Sequence, residues 1–415
     1  MTTARIAERL RVSSRVVSGA AGALVDQLPA PSDALCWVNG GEGIVGWGEL
    51  ARVEATGPLR FTRLDSWWRS YSSRMVVHDE VKLPGSGPVA FTSIAFADQP
   101  GRSVLVVPKV VIGRRDGVTW ETLQGGSDEP PAEVRPIGGP GQVRYADGQL
   151  SVTGWREVVA GAVTRMRGGE LAKVVLAHDL FAATEHPVDP RYLLGGLAAN
   201  YPSCWVFSVD GMVGATPELL VRRLGQQVDA RVLAGTAWPH GGLADERVAG
   251  ELLSSDKNRA EHAYAVQSMV EALRPFCSPL RVPSGPSVLK LRNVQHLATE
   301  IRGRLTGGQS VLRLAWLAHP TAAVGGTPAP DACRLINELE RMDRGRYAGP
   351  VGWVDAAGNG ELGIALRCAE VAGRTVRMFA GCGIVADSDP DIEVREAAAK
   401  LVPMRDALEG IVNGS

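Results

Sequence analysis

The chain has 415 residues, of which 45% are hydrophobic and 21% charged, and its formal net charge is −1. That length exceeds a typical single domain, and that composition suits a soluble globular protein with a large core. Near-neutral charge leaves out the electrostatic signature of a nucleic-acid or membrane-surface binder, and no apolar run approaches the ~20 residues needed to span a bilayer.

The first 17 residues, MTTARIAERLRVSSRVV, are basic and contain serine but lack the apolar region and cleavage site of an export signal. They read as a short surface helix or a tail. Residues 31–150 read mainly as strand, with Asn39-Gly40-Gly41 as a hairpin-like break and Arg114-Arg115-Asp116-Gly117 as a turn. Ser66–Met75 is a helix candidate whose two tryptophans belong to the core, and the Gly- and Pro-rich stretch Gly125–Gly141 is an exposed linker. This part holds no nucleophile elbow, P-loop or dinucleotide fingerprint and reads as scaffold. Cys36, Cys204, Cys277, Cys333, Cys368 and Cys382 are scattered, with no CxxC pair and no zinc-spaced histidine, as expected of reduced thiols in the cytoplasm.

A helix near Thr153–Arg167 leads into Leu171–Leu180, a strand on which Lys173 by itself reads as a snorkelling lysine. In Met212–Arg222 the rigid Thr216-Pro217 turn aims Glu218 at the mouth of the next strand. Leu233-Ala234-Gly235-Thr236-Ala237 is a small-residue loop that lets backbone approach a ligand. A helix from about Ser254 to Leu273 carries Glu261 at the edge of its apolar stripe. His296 sits in a strand at Asn293–Gly303, where by itself it reads as a satisfied core residue. The run from His319 to Pro328 is a loop that no packing rule requires, and a helix from about Pro330 to Asp343 follows it.

Tyr347–Lys400 reads as three antiparallel strands and a helix. Asn359-Gly360 makes the first turn, and the second strand runs over about Leu362–Val371, with Ala365, Arg367 and Ala369 on one face. The third is Val376–Ala380, after which Gly381-Cys382-Gly383 leaves the sheet as bare backbone suited to an anion. Asp389-Pro390 opens the last helix, where Glu393, Glu396 and Lys400 share one face.

Taken together, KVVLA at Lys173, ATPELL around Glu218, LAGTA, the SxDKxRAEH block ending in Glu261-His262, HPTAAVGGTP, YAGPVGW, ALRCA, AGCGIV and SDPxxExxExxxK resemble the chorismate-utilising enzymes. These are the isochorismate, salicylate, anthranilate and aminodeoxychorismate synthases. The resemblance is dense from Leu171 to Leu408 and general over the first 150 residues. It implies an α+β fold of two similar halves, with large antiparallel sheets packed together and helices outside. Residues 1–150 would form the N-terminal half and 151–415 the half carrying the motifs, in one integrated catalytic domain.

The resemblance also reverses the bland readings given above. It implies that Glu261 and Glu396 hold Mg²⁺, with Glu393 near the metal, and that Tyr347, Arg367 and backbone at Gly383 bind the enolpyruvyl carboxylate of chorismate. Lys400 and the Gly381 amide would contact the ring carboxylate, while His296, Gly235, Thr236 and Ala323 would line the pocket. One departure is Asn258, where relatives commonly carry Asp or Glu, and weaker Mg²⁺ affinity is expected from it.

The implied reaction adds water at C2 and expels the C4 hydroxyl. Glu218 is the candidate acid, which needs its pKa raised, and Lys173 the candidate base, which must be partly neutral. Ala323 argues for isochorismate synthase, since relatives that go on to eliminate pyruvate usually carry threonine there. The alternatives are a salicylate synthase and a non-catalytic chorismate-binding homologue. A monomer with no nucleic-acid or membrane partner is expected.

Overall fold

The computed structural model describes residues 10–17, 22–126, 134–238 and 245–411. Its strands form one continuous hydrogen-bonded network that divides into two facing arms at the long strand Ser103–Arg115. On one side that strand pairs with Glu42–Ala55, which continues through Leu35–Asn39, Trp205–Val209, Met212–Thr216, Cys368–Ala372 and Thr375–Ile384 to Lys173–Thr184. On the other it pairs with Val89–Ser93, which continues through Pro350–Asp355, Gly360–Ile364, Leu219–Leu224 and Gln227–Ala237 to Gln295–Leu305. Two of these pairings join residues of the first 150 directly to later ones.

The strands at the middle of the network are buried along their whole length, and the two arms close over one core containing buried Trp37, Phe91, Phe207 and Trp353. A buried carboxylate binds the arms across that core. Glu361 accepts from Trp37 Nε1 at 3.1 Å and Trp205 Nε1 at 3.3 Å, and pairs with Arg115 at 2.9 Å. Helices cover the outer faces. Pro390–Glu409 lies on Thr375–Ile384, flanked by Val152–Arg167 and Pro190–Asn200, and Asp256–Leu273 lies on the strands Gln227–Ala237 and Gln295–Leu305. The architecture is the α+β arrangement expected from the sequence.

Several local expectations need correction. Arg11–Val16 is a strand paired with Val118–Gln124, not a helix, because its alternate residues Val12 and Ser14 are buried. Residues 1–9 and part of the expected linker, 127–133, lie outside the described residues. The first helix spans Arg60–Ser72, with Trp68 in the core donating to the Asp355 carbonyl at 3.0 Å. A separate helix, Asp245–Ser254, precedes Asp256–Leu273, with Ser255 as the cap between them. Helix Val311–Ala318 stands before the 319–328 loop, and the helix after it is shorter than expected, Ala329–Leu339.

The C-terminal unit has four strands rather than three. Its first turn takes its positive φ at Gly358, while Gly360 already belongs to the next strand. The expected strand 362–371 is broken between Ile364 and Cys368, because the chain there steps from one arm to the other. Arg367 takes φ +49° at the step. Nor do Gly381 and Gly383 leave the sheet, since Thr375–Ile384 runs through both, paired with Ala177 and Val175.

Candidate active site

Two crossings between the arms run side by side and form the centre of the molecule. Pro217-Glu218 links Met212–Thr216 to Leu219–Leu224, and 365–367 links Gly360–Ile364 to Cys368–Ala372. The Ile364 amide donates to the Glu218 carbonyl at 3.2 Å, and the Ala215 amide to the Arg367 carbonyl at 3.2 Å. The crossings place Glu218 and Arg367 at one cavity, whose lining also includes Gly235, Thr236, Glu261, His296, Ala323, Arg344, Tyr347, Gly381, Gly383 and Lys400.

Glu218 is fully enclosed. Burial pushes its pKa up to about 8, a rise that the nearby positive charges of Lys173 and Arg367 only partly offset. It is therefore a carboxylic acid at neutral pH. Lys173, at the start of its strand, is 0% exposed and so does not snorkel. Its Nζ lies 3.2 Å from Glu261 Oε1, an ion pair, and is buried with no hydrogen-bond partner.

Three carboxylates face this lysine region from two helices. Glu393 is 1% exposed and accepts from Lys257 Nζ at 2.9 Å. Burial and the charge of Glu396 raise the Glu393 pKa. Glu396 is half-buried, and the charge and hydrogen bond of Lys400 at 2.5 Å, joined by Thr236 and Lys257, outweigh desolvation and hold its pKa low. Each glutamate thus has one lysine: Glu261 with Lys173, Glu393 with Lys257, and Glu396 with Lys400.

The donor set fits a hard divalent cation. Oxygens of Glu393 and Glu396 lie within 4.8 Å of each other, and with Cys382 they form a group able to hold a metal ion. The thiol is a poor Mg²⁺ ligand, being soft and pushed well above its usual pKa by burial. Opposite them, Gly383 leaves open the space Glu261 uses, since a Cβ there would overlap Glu261 Oε1 and press on Lys173. The Asn258 amide instead donates to Ser255 Oγ at 3.0 Å, within the cap of its own helix.

On the other side of the cavity the Arg367 guanidinium donates to His296 Nε2 at 2.8 Å. Burial, with the charges of Arg367 and Lys400, lowers the His296 pKa well below its ordinary value, so the ring is neutral. Tyr347 stacks on Phe379 with ring centroids 4.9 Å apart, and a Cβ on Gly381 would sit 3.0 Å from its hydroxyl. Lys400 Nζ donates to the Gly381 carbonyl at 2.8 Å.

Of the expected site residues, all but Lys173, Glu393 and Glu396 line the cavity; Lys173 pairs with Glu261 and Glu396 with Lys400, which do line it, while Glu393 pairs with Lys257. Gly235 and Thr236 belong to a β-bulge in the strand Gln227–Ala237 rather than to a loop, with Gly235 at φ +78°. Sequence reasoning missed Lys257 and Arg344. Lys257 lies in the quoted SxDKxRAEH block, where its partner 136 positions away in the chain left no local signal. Arg344 donates to the Val175 and Val324 carbonyls and pairs with Glu340, tying the Lys173 strand to the loop that holds Ala323.

Residues 136–409 match the family described as chorismate binding enzyme. The chain is 33% identical over 411 residues to the salicylate biosynthesis isochorismate synthase of Pseudomonas aeruginosa, covering 91% of this chain and 85% of that protein. It is 38% identical over 267 residues to isochorismate synthase MenF of Bacillus subtilis, which spans 63% of this chain and only 57% of that relative's length. Among solved structures, the menaquinone-specific isochorismate synthase MenF of Escherichia coli superposes with a TM-score of 0.78 at 25% identity, covering 96% of this chain and 94% of the other. The putative 2,3-dihydroxybenzoate-specific isochorismate synthase DhbC of Bacillus anthracis has the same TM-score at 29% identity, covering 93% and 98%.

Proposed function

The chain belongs to the chorismate-binding enzymes, and from that premise we propose that it is an isochorismate synthase, a Mg²⁺-dependent isomerase that moves a hydroxyl group around the chorismate ring. The observation that carries the reading is a protonated carboxylic acid and a lysine beside one cavity, with Glu218 pushed up to about 8 and Lys173 close enough for its charge to act on it.

Hydroxide is a poor leaving group, so Glu218 gives its proton to the C4 oxygen as that bond breaks. Lys173, in its neutral amine form, takes a proton from the water that attacks C2, and the ring double bonds shift between the two carbons. Arg367 and Tyr347 hold the enolpyruvyl carboxylate, and Lys400 with backbone at Gly381 orients the ring carboxylate. Glu261 and Glu396, with Glu393 behind them, would hold the Mg²⁺. Bound there, the ion would supply positive charge to the ring carboxylate. Fixing both carboxylates fixes the ring between acid and base, where orientation contributes to lowering the barrier. Ala323 on the cavity wall supports release of isochorismate without pyruvate elimination. Six free cysteines, five of them buried, support a cytoplasmic setting, and among the described residues no helix is long and apolar enough to cross a membrane.

Incubation with chorismate and Mg²⁺, followed by chromatography, is expected to yield isochorismate without salicylate or pyruvate. Glu218→Gln and Lys173→Ala are each expected to lose about 10²- to 10⁴-fold in turnover while still binding chorismate. Wild-type-like turnover by either variant would refute the assigned roles.

A further inference from the structure

Arg367 is a buried cation with no anion. The residue is 8% exposed, its Nε is buried without a partner, and among the described residues no carboxylate lies within ion-pair distance of it. The other buried arginines of this fold are held differently. Arg344 pairs with Glu340, Arg191 with Asp189, Arg60 with Asp98 and Arg346 with Asp210, so each charge faces a carboxylate.

Arg367 is oriented by His296, whose Nε2 lies 2.8 Å from its Nη2. On the far side of the ring, His296 Nδ1 is 3.3 Å from the Gly235 carbonyl, which can only accept, so Nδ1 carries the proton and Nε2 is the bare acceptor. The burial described above keeps the ring neutral and this tautomer intact. A neutral acceptor aims a guanidinium as well as a carboxylate does but leaves its field in place. The left-handed backbone at Arg367, uncommon for a non-glycine residue, persists because the surrounding sheet crossing holds it.

We propose that His296 is a positioning residue that aims the Arg367 guanidinium through a neutral hydrogen bond and leaves its charge uncancelled for a carboxylate of the substrate. The proposal rests on the functional reading above and gives His296 a task beyond lining the pocket: it sets the strength of the anion site through Arg367.

Three variants test it by chorismate titration calorimetry and steady-state kinetics, with thermal denaturation to check that each is folded. His296→Gln keeps an acceptor near the Nε2 position and is expected to bind chorismate within about threefold of wild type. His296→Leu removes the acceptor and is expected to raise KM about tenfold or more with a smaller change in kcat, the loss typical of one hydrogen bond to a charged group. His296→Glu keeps the orientation but cancels the charge, and is expected to bind chorismate at least about tenfold more weakly than His296→Gln. Equal affinity of the Gln and Glu variants overturns the proposal, and so does a wild-type KM in His296→Leu. If His296→Leu does not fold, the Gln and Glu pair decides alone. Wild-type protein that neither binds nor converts chorismate overturns the functional reading and this proposal with it, a failure seen without any variant.

Discussion

Glu218 shows how one residue's environment sets its chemistry. An exposed glutamate would be ionised at neutral pH and useless as a proton donor, whereas burial at the crossing keeps this one protonated up to about 8. Because the acid form is the active one, log kcat/KM is expected to fall with a slope approaching about −1 as pH rises above about 8. A pH–rate profile flat through pH 9 would contradict the assignment. That Glu218 is aimed was legible in the sequence because Pro217 stiffens the turn before it, while its candidate role as an acid came from the family resemblance. Its burial was not, since the cavity it shares is lined by residues as distant in the chain as Leu233, Arg367 and Lys400. Lys173 was harder still, because a lysine at a strand start carries no mark of whether its end reaches solvent.

At the scale of elements, alternation in the sequence reads strands well but carries no information about which sheet a strand joins. That is why 362–371 looked continuous, although the chain changes arms inside it, and why Gly381 and Gly383 looked like the end of a strand that in fact continues to Ile384. The bulge at Gly235 was hidden for the same reason, its irregularity showing only against the partner strand Gln295–Leu305. The buried Arg344–Glu340 pair belongs to this scale. Glu340 also accepts from the Ala177 amide at 2.7 Å, so the pair pins the Lys173 strand to the helix Ala329–Leu339 and to the 319–328 loop. Arg344→Met would strand a buried carboxylate and is expected to lower stability by about 3–5 kcal/mol, read from denaturant unfolding. Replacing Glu340 by Gln in the same protein should recover part of that loss.

At the scale of the molecule, the sequence motifs concentrate after residue 170, yet the first 150 residues are not a separate body. Leu35–Asn39 pairs with Trp205–Val209, and Val89–Ser93 with Pro350–Asp355, so each arm of the sheet contains strands from both parts. Calorimetry is expected to show a single unfolding transition with matching calorimetric and van't Hoff enthalpies, and two resolved transitions would count against one integrated domain.

The three glutamate–lysine pairs beside the cavity carry a last consequence. Arg367 supplies one uncancelled charge for one substrate carboxylate, but elsewhere the charges already balance, so the second carboxylate alone or a cation alone would leave excess charge in a poorly solvated place. Chorismate and Mg²⁺ should therefore favour each other's arrival, and by thermodynamic reciprocity the factor by which saturating Mg²⁺ tightens chorismate must equal the factor by which chorismate tightens Mg²⁺.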